Sequence, residues 1–253
     1  MLLRSGSALG NTVLLVSDEE AAAAGGGPAG LARKACRGES GSGPFDGLLV
    51  LGAEETDGAR SFRIFNRDGS EAEACLNGLR VAALFDGGQA GLFRMGGRRI
   101  AWRRIPLGVE LHLRREDLPA EIAFQALDLE GLRAVAVPFW NPHCVVPVQP
   151  GCRFSLEALA RSAAARSDFF PDGVNLEVVS EAGPGRLRMR VWERGVGETR
   201  ACGSGAVAVA LATWAGGARD PLEVVMPGGS LALRIAPDGG ILLAGEARLD
   251  SPS

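Results

Sequence analysis

The chain has 253 residues, and its 27 Lys and Arg against 30 Asp and Glu give a formal net charge of −3 and a pI near 5.6. This balance argues against a surface that binds polyanions, and the 46% apolar and 23% charged residues are ordinary for a globular chain. No secretory signal or membrane span is expected. Five cysteines, an odd number in so long a chain, indicate reduced thiols in a cytoplasm.

In chain order, the first pattern is a weak helix predicted over Glu19–Arg37. The Gly- and Ala-rich stretch Ala21–Gly30 within it weakens this prediction, because its composition predicts a loop. The stretch Gly38–Gly43 predicts a loop as well. Alternation or short apolar runs predict strands, which cover Leu48–Leu51, Ser61–Phe65, Val109–Leu113, Ala134–Val137, Leu187–Val191, Leu222–Met226 and Leu231–Ile235. Helical spacing predicts three further helices, over Leu76–Phe85, Ser155–Arg166 and Ser204–Trp214. Strands therefore outnumber helices, without the regular βαβ alternation of a doubly wound sheet.

An internal repeat relates the two halves of the chain. The segment Arg63–Leu84 (RIFNRDGSEAEACLNGLRVAAL) overlays Arg190–Leu211 (RVWERGVGETRACGSGAVAVAL) without a gap. Each copy is an alternating strand, a Gly-containing turn, the pair Ala-Cys and an apolar helix. A period of about half the chain indicates a duplicated domain rather than a solenoid. We therefore predict two pseudo-equivalent lobes.

Each copy places one cysteine, Cys75 or Cys202, immediately before its helix. Unpaired N–H groups and the positive dipole end of a helix lower the pKa of a thiol and bind carboxylates. Lobes that face each other would put one thiol on each side of a cleft, which suits inversion of a stereocentre by a base and an acid. A pyridoxal enzyme needs a lysine, and the one lysine, Lys34, lies in a Gly- and Ala-rich region, so a reaction without cofactor is favoured.

Several motifs resemble those of the diaminopimelate epimerase family, in the right order over nearly the whole chain: LGN, NRDGSEAEACLNGLR, WNPHCV, GVNLEVV and WERGVGETRACGSG. The resemblance implies an α+β fold of two pseudo-symmetric lobes, each a mostly antiparallel sheet or barrel around a central helix. It implies an N-terminal lobe of residues 1–116, completed by about 245–253, and a C-terminal lobe of residues 117–244.

The function that this resemblance implies is the interconversion of LL- and meso-2,6-diaminopimelate for lysine and peptidoglycan synthesis, without a cofactor. The partner is then a small-molecule substrate, with a homodimer left open and no nucleic acid or membrane expected. No metal is expected either, because the chain has two histidines and no C-x-x-C pair.

Carried onto this sequence, the resemblance makes Cys75 and Cys202 the catalytic pair. His143 is similar to the group that exchanges protons beside Cys75, and Glu193 to the one beside Cys202. The implied substrate contacts are amide, guanidinium and helix-start groups: Asn11, Asn66, Leu76, Asn77, Asn141, Asn175, Glu193, Arg194, Gly203 and Ser204. Asparagine both donates and accepts hydrogen bonds, and arginine grips a carboxylate with two of them.

Two departures from the family pattern leave alternatives open. Ser7 stands where the family has His in a His-Gly-Leu-Gly-Asn-Asp run, and Leu76 stands where it has Gly in Cys-Gly-Asn-Gly. Both changes admit a cofactor-independent racemase of another amino acid. A non-catalytic descendant that binds an amino acid is a third alternative, although binding alone needs neither thiol.

Overall fold

The computed structural model describes residues 4–37, 44–119, 123–218 and 220–250. The chain divides into two compact units: unit 1 is Met1–Leu113 with Ala244–Ser253, and unit 2 is Arg114–Leu243. Strands dominate both units and helices are few, which confirms the predicted α+β class. The seven predicted strands and three predicted helices are confirmed as well, and the predicted loop over Gly38–Gly43 lies outside the described residues.

Unit 1 is built from strands around one long helix. Its elements are β1 (Arg4–Ala8), β2 (Asn11–Ser17), α1 (Asp18–Ala23), α2 (Gly27–Ala35), β3 (Gly47–Glu54), β4 (Ala59–Asn66), β5 (Glu71–Ala72), α3 (Leu76–Asp86), β6 (Ala90–Met95), β7 (Arg98–Ile105), β8 (Gly108–Leu113) and β18 (Arg248–Leu249). Residues 76–83 of α3 are buried without interruption, and α3 packs against β1, β2, β3, β6, β7, β8 and β18. A helix that is buried on all sides is a core helix.

Unit 2 repeats this plan. Its elements are a 3-10 turn (Arg115–Asp117), β9 (Gln125–Leu129), β10 (Leu132–Phe139), β11 (Asn141–Pro147), α4 (Leu156–Ala164), β12 (Asn175–Gly183), β13 (Arg186–Glu193), β14 (Gly197–Thr199), α5 (Gly203–Ala215), β15 (Leu222–Met226), β16 (Gly229–Ile235) and β17 (Ile241–Gly245), whose last two residues belong to unit 1. Helix α5 is buried from Gly205 to Ala210 and packs against β10, β11, β12 and β16.

The strand pairings match between the units, as a duplication predicts. In unit 1, β2 runs parallel to β3, which pairs antiparallel with β4, and β4 runs parallel to β6. In unit 2, β11 runs parallel to β12, which pairs antiparallel with β13, and β13 runs parallel to β15. The hairpin ahead of each cysteine carries the same two-bond ion pair, Arg63–Glu71 at 2.8 and 2.7 Å and Arg190–Glu198 at 2.8 and 2.9 Å.

The loop predicted over Ala21–Gly30 is wrong, because this stretch belongs to the helices α1 and α2 with a short turn between them. Ser17 and Glu20 form a capping box that starts α1, each side chain bonding the backbone N–H of the other residue. Helix α2 then buries Leu31, which packs with residues of β2 and β3. Capping and burial of an apolar face thus override the glycine-rich composition.

Candidate active site

The two cysteines cap their helices in the same way. Cys75 precedes α3, and its Sγ accepts a hydrogen bond from the N–H of Gly78 at 3.2 Å. Cys202 precedes α5, and its Sγ accepts from the N–H of Gly205 at 3.3 Å. Each thiol therefore sits at the positive end of a buried helix and satisfies one of the N–H groups that a helix start leaves unpaired.

Glycine in the first turn of each helix makes room for a side chain from the neighbouring strand. A Cβ at Gly205 would lie 2.6 Å from Oε1 of Glu177, a residue of β12. A Cβ at Gly78 would lie 2.9 Å from Cδ2 of Leu49, a residue of β3, and 3.1 Å from the sulfur of Cys75. The two starts thus share a shape, but a carboxylate packs under one and an apolar side chain under the other.

A buried His–Glu pair lies in unit 2. Nδ1 of His143 is 2.7 Å from Oε1 of Glu177, and both side chains are fully buried. Parallel pairing of β11 with β12 sets this contact, since His143 is opposite Asn175 and Val145 is opposite Glu177. Nε2 of the histidine and Oε2 of the glutamate have no hydrogen-bond partner among the described residues. Sequence reasoning missed Glu177, and its signal was a lone acid within the apolar strand NLEVV.

Glu193 lies at the end of β13 and contacts the Cys202 thiol. Its Oε1 accepts a hydrogen bond from the Thr199 hydroxyl at 2.5 Å across the β13–β14 hairpin. Burial raises the pKa of the Glu193 carboxyl, the charge of Glu177 adds to this, and hydrogen bonds from Thr199 and Cys202 act against it. A carboxyl whose pKa is raised in this way is suited to exchange protons with a neighbouring thiol.

Burial controls the protonation of Cys202. It raises the pKa of this thiol well above its ordinary value, and the nearby carboxylates of Glu193 and Glu177 raise it further. Hydrogen bonds with Ser204 and Gly205 offset only part of this effect. The expectation that a helix start lowers the thiol's pKa is therefore wrong for Cys202, because desolvation of the charged form outweighs the helix end.

Asn175 and Arg194 are joined within unit 2. Oδ1 of Asn175 accepts the backbone N–H of Arg194 at 2.8 Å, and Nη1 of the exposed Arg194 donates to the carbonyl of Asp172 at 2.5 Å. Gly173 has φ +82°, and a Cβ there would lie 2.8 Å from Cδ of Arg194. This glycine therefore permits both the turn and the path of the arginine side chain.

The other asparagines have varied surroundings. Asn11 and Asn141 begin β2 and β11, and the buried Oδ1 of each has no hydrogen-bond partner among the residues that the structure describes. Asn66 donates to the hydroxyl of Ser70 at 3.0 Å, within the β4–β5 turn. Oδ1 of Asn77 accepts from the guanidinium of Arg80 at 2.9 Å.

The structure brings part of the predicted set together within each unit. In unit 2, Glu193 interacts electrostatically with His143 and with Cys202, and Gly203 and Ser204 are the first two residues of α5. In unit 1, Cys75, Leu76 and Asn77 share the start of α3, where the Leu76 residue is 2% exposed. His143, predicted to act beside Cys75, belongs to unit 2.

Two further findings concern other kinds of site. Among the described residues, no group of three or more His, Cys, Asp or Glu is arranged to hold a metal ion. None of the helices in the described ranges is long and apolar enough to cross a membrane.

Comparison with known proteins identifies relatives of this chain. A family model described as diaminopimelate epimerase matches residues 135–249. The diaminopimelate epimerase of Moorella thermoacetica is 33% identical over 265 aligned residues, covering 94% of this chain and 93% of that protein. The diaminopimelate epimerase of Sphingopyxis alaskensis is 37% identical over 217 residues, covering 79% of this chain and 78% of that protein.

A solved structure of a predicted epimerase from Pseudomonas aeruginosa matches with a TM-score of 0.70 at 19% identity, over 98% of this chain and 96% of that one. At this identity the match shows a common fold. Together the fold and the sequence relatives define an isomerase of the epimerase class. The chain belongs to the diaminopimelate epimerase family, which confirms the resemblance carried by its motifs.

Proposed function

We propose that this chain interconverts LL- and meso-2,6-diaminopimelate by removing a proton from one face of the α-carbon and delivering one to the other. The observation that carries the proposal is the duplicated thiol cap, with Cys75 and Cys202 each accepting an amide N–H at the start of a buried helix. A two-base inversion needs two such groups, and an amino-acid binding protein needs neither.

The chemistry assigned to the thiols follows from their charge states. A thiolate at one cysteine takes the α-proton, and the thiol at the other returns a proton to the opposite face. Burial and two carboxylates favour the protonated form of Cys202, so in the free enzyme we assign it as the acid. Glu193, in hydrogen-bonding contact with that thiol, accepts its proton when the reaction runs in the other direction. We assign His143 to proton exchange with Cys75, following the family pattern.

The carbanion needs stabilisation as its carboxylate becomes enediolate-like. We propose that the helix-start amides, at Leu76–Asn77 in α3 and Gly203–Ser204 in α5, donate to this carboxylate. Such donors are worth most where the charge develops, because they need no reorganisation during the reaction. The first turn of each helix would then serve both the thiol and the substrate.

The distal end of the substrate carries a second ammonium and a second carboxylate. The Oδ1 atoms of Asn11 and Asn141 are buried and have no partner among the described residues, so they are suited to accept hydrogen bonds from an ammonium group. Asn66 and Asn175 complete the proposed amide set. Arg194 is exposed and fixed in place through its backbone and one Nη, and we assign it to the distal carboxylate.

A racemase of another amino acid is the second candidate, and Leu76 is the residue that favours it. Its side chain is almost fully buried, and its backbone φ is not in the positive region, so its N–H remains a normal helix-start donor. Leucine at this place is therefore compatible with a bound carboxylate, and the diaminopimelate assignment stands first. We also propose that the enzyme acts in the cytoplasm without nucleic-acid partners, and that a homodimer is its assembly.

The test is chiral chromatography of the purified chain with LL-diaminopimelate and a panel of other amino acids. We expect meso-diaminopimelate to form and the panel to stay unchanged, whereas turnover of another amino acid in its place would favour the racemase. Cys75→Ala and Cys202→Ala should each lose at least ~100-fold in kcat. Cys152→Ala removes an exposed thiol outside both motifs and serves as the matched control. Full turnover in either of the first two variants would overturn the assignment.

A further inference from the structure

A buried arginine lies in the second turn of α3 and is not among the groups assigned to the proposed reaction. Arg80 is fully buried, and its side chain turns back along the helix, donating from Nη2 to Oδ1 of Asn77 at 2.9 Å and from Nη1 to the Leu76 carbonyl at 3.4 Å. Its Nε has no hydrogen-bond partner among the described residues. Burial lowers the pKa of this guanidinium to about 10, so it still carries its charge at neutral pH.

This charge is in an unfavourable place unless an anion accompanies it. A buried cation without a counter-charge is costly, and the positive end of the helix dipole repels it further. Its guanidinium bonds to Leu76 and Asn77, the two residues that directly follow Cys75 in the chain. Within the described residues, the Cys75 thiol is the ionisable group that acts electrostatically on Arg80, and this interaction favours the charged arginine.

Several charged groups on the strands packed against α3 have partners of their own. On β1, Arg4 lies over the ring of Phe85, and on β6, Arg94 pairs with Glu55 and Asp57. On β7 and β8, Arg103 bonds Glu110 at 2.6 Å, and Arg104 donates to the Leu84 carbonyl at 2.8 Å. On β18, Arg248 donates to the Ser7 hydroxyl on β1 at 2.8 Å. The balancing anion for Arg80 is therefore to be sought at Cys75.

The duplication provides an internal comparison. The position of Arg80 in α3 corresponds in α5 to Val207, which is buried and uncharged. Where α3 has Leu49 under its first turn, α5 has the carboxylate of Glu177. The surroundings of Cys75 thus carry a buried positive charge, and those of Cys202 carry negative charge. A repeat that served only to build the fold would not need opposite charges beside its two cysteines.

We propose that Arg80 is a positioning residue, whose buried guanidinium keeps the Cys75 side chain in its thiolate form and holds Asn77 at the helix start. The thiolate is in turn the counter-charge that a buried arginine requires. This inference rests on the proposed function, because it assigns the base at rest to Cys75 and complements the acid assigned to Cys202.

The experiment is alkylation by iodoacetamide of the full chain across pH 5–10, with each cysteine quantified by peptide mass spectrometry. The alkylation rate of each thiol plotted against pH has a midpoint. In the wild type, the midpoint for Cys75 should lie at least about one pH unit below that of the exposed Cys152, which is the reference thiol in every sample. Arg80→Met, similar in size but uncharged, should slow alkylation of Cys75 at pH 7 about tenfold. Arg80→Lys should restore most of the rate, and Val207→Met, at the equivalent place in α5, should leave it unchanged.

Two results would overturn the proposal. The first is a Cys75 midpoint equal to that of Cys152 in the wild type, a measurement that needs no variant to fold. The second is an unchanged Cys75 profile in a folded Arg80→Met protein. Neither readout uses diaminopimelate, so failure of the epimerase assay with a low Cys75 midpoint would refute the substrate and leave the role of Arg80 intact.

Discussion

The stability contributed by the His143–Glu177 pair can be tested by replacing it with the apolar residues that occupy the equivalent positions in unit 1. Both side chains are fully buried and joined at 2.7 Å. At the matching places in unit 1, Val13 lies opposite Gly47 and Leu49 lies opposite Leu15, so an apolar pair fills the same register. Glu177→Leu copies one half of that arrangement and leaves the histidine buried without its partner. Removing one member of such a pair costs about 3–5 kcal/mol.

The double variant His143→Val with Glu177→Leu copies both halves. Replacing both members of a buried polar pair by apolar side chains is close to neutral, so its free energy of unfolding should return to within about 1 kcal/mol of the wild type. The assay is urea denaturation of the wild type, both single variants and the double variant. Glu181→Leu, at an exposed site on the same strand, is the control and should change little. A double variant no more stable than Glu177→Leu would refute the reasoning.

Other consequences of the structure can be measured directly. Arg194→Ala should cost on the order of 2–4 kcal/mol in kcat/KM for diaminopimelate and far less for monocarboxylic amino acids, if any are turned over; an equal loss for both would contradict its assignment. Leu76→Gly should lower the free energy of unfolding by about 2–5 kcal/mol, because the leucine is buried, yet change kcat/KM less than ~10-fold; a large gain in activity would show that leucine blocks this substrate. Burial raises the pKa of Cys36 to about 11 and of Cys144 to about 12. The unfolded chain therefore loses these protons first, and stability should fall above about pH 9 by about 1.4 kcal/mol per pH unit and per thiol, a slope that Cys36→Ala and Cys144→Ala should each reduce.

The elements that the sequence predicted well are those whose signals are local. Alternation marks β13, and the apolar run Ala206–Leu211, which begins four residues after Cys202, marks α5. The loop predicted from composition over Ala21–Gly30 is wrong, because the capping box at Ser17 and the burial of Leu31 stabilise helices that a high glycine content disfavours.

The parts of the candidate site that sequence reasoning missed depend on tertiary packing. The contact between His143 and Glu177 joins residues 34 positions apart through the register of two parallel strands, which no local pattern encodes. The charge state of Cys202 depends on burial and on carboxylates from two other strands. Arg80 lies on a helix that is buried on every side, and the apolar residues around it in the sequence do not indicate that a charged residue is in the core.

The proposed reaction depends on proton transfer by two groups, one for each face of the carbon. The direct measurement is epimerisation of LL-diaminopimelate in deuterated water, with product and recovered substrate separated and their α-deuterium measured at low conversion. Two groups predict deuterium in the product well before it enters the recovered substrate, because the proton removed on one face is not the one returned on the other. Equal early labelling of both would show that a single base serves both faces, and would contradict the roles given to Cys75 and Cys202.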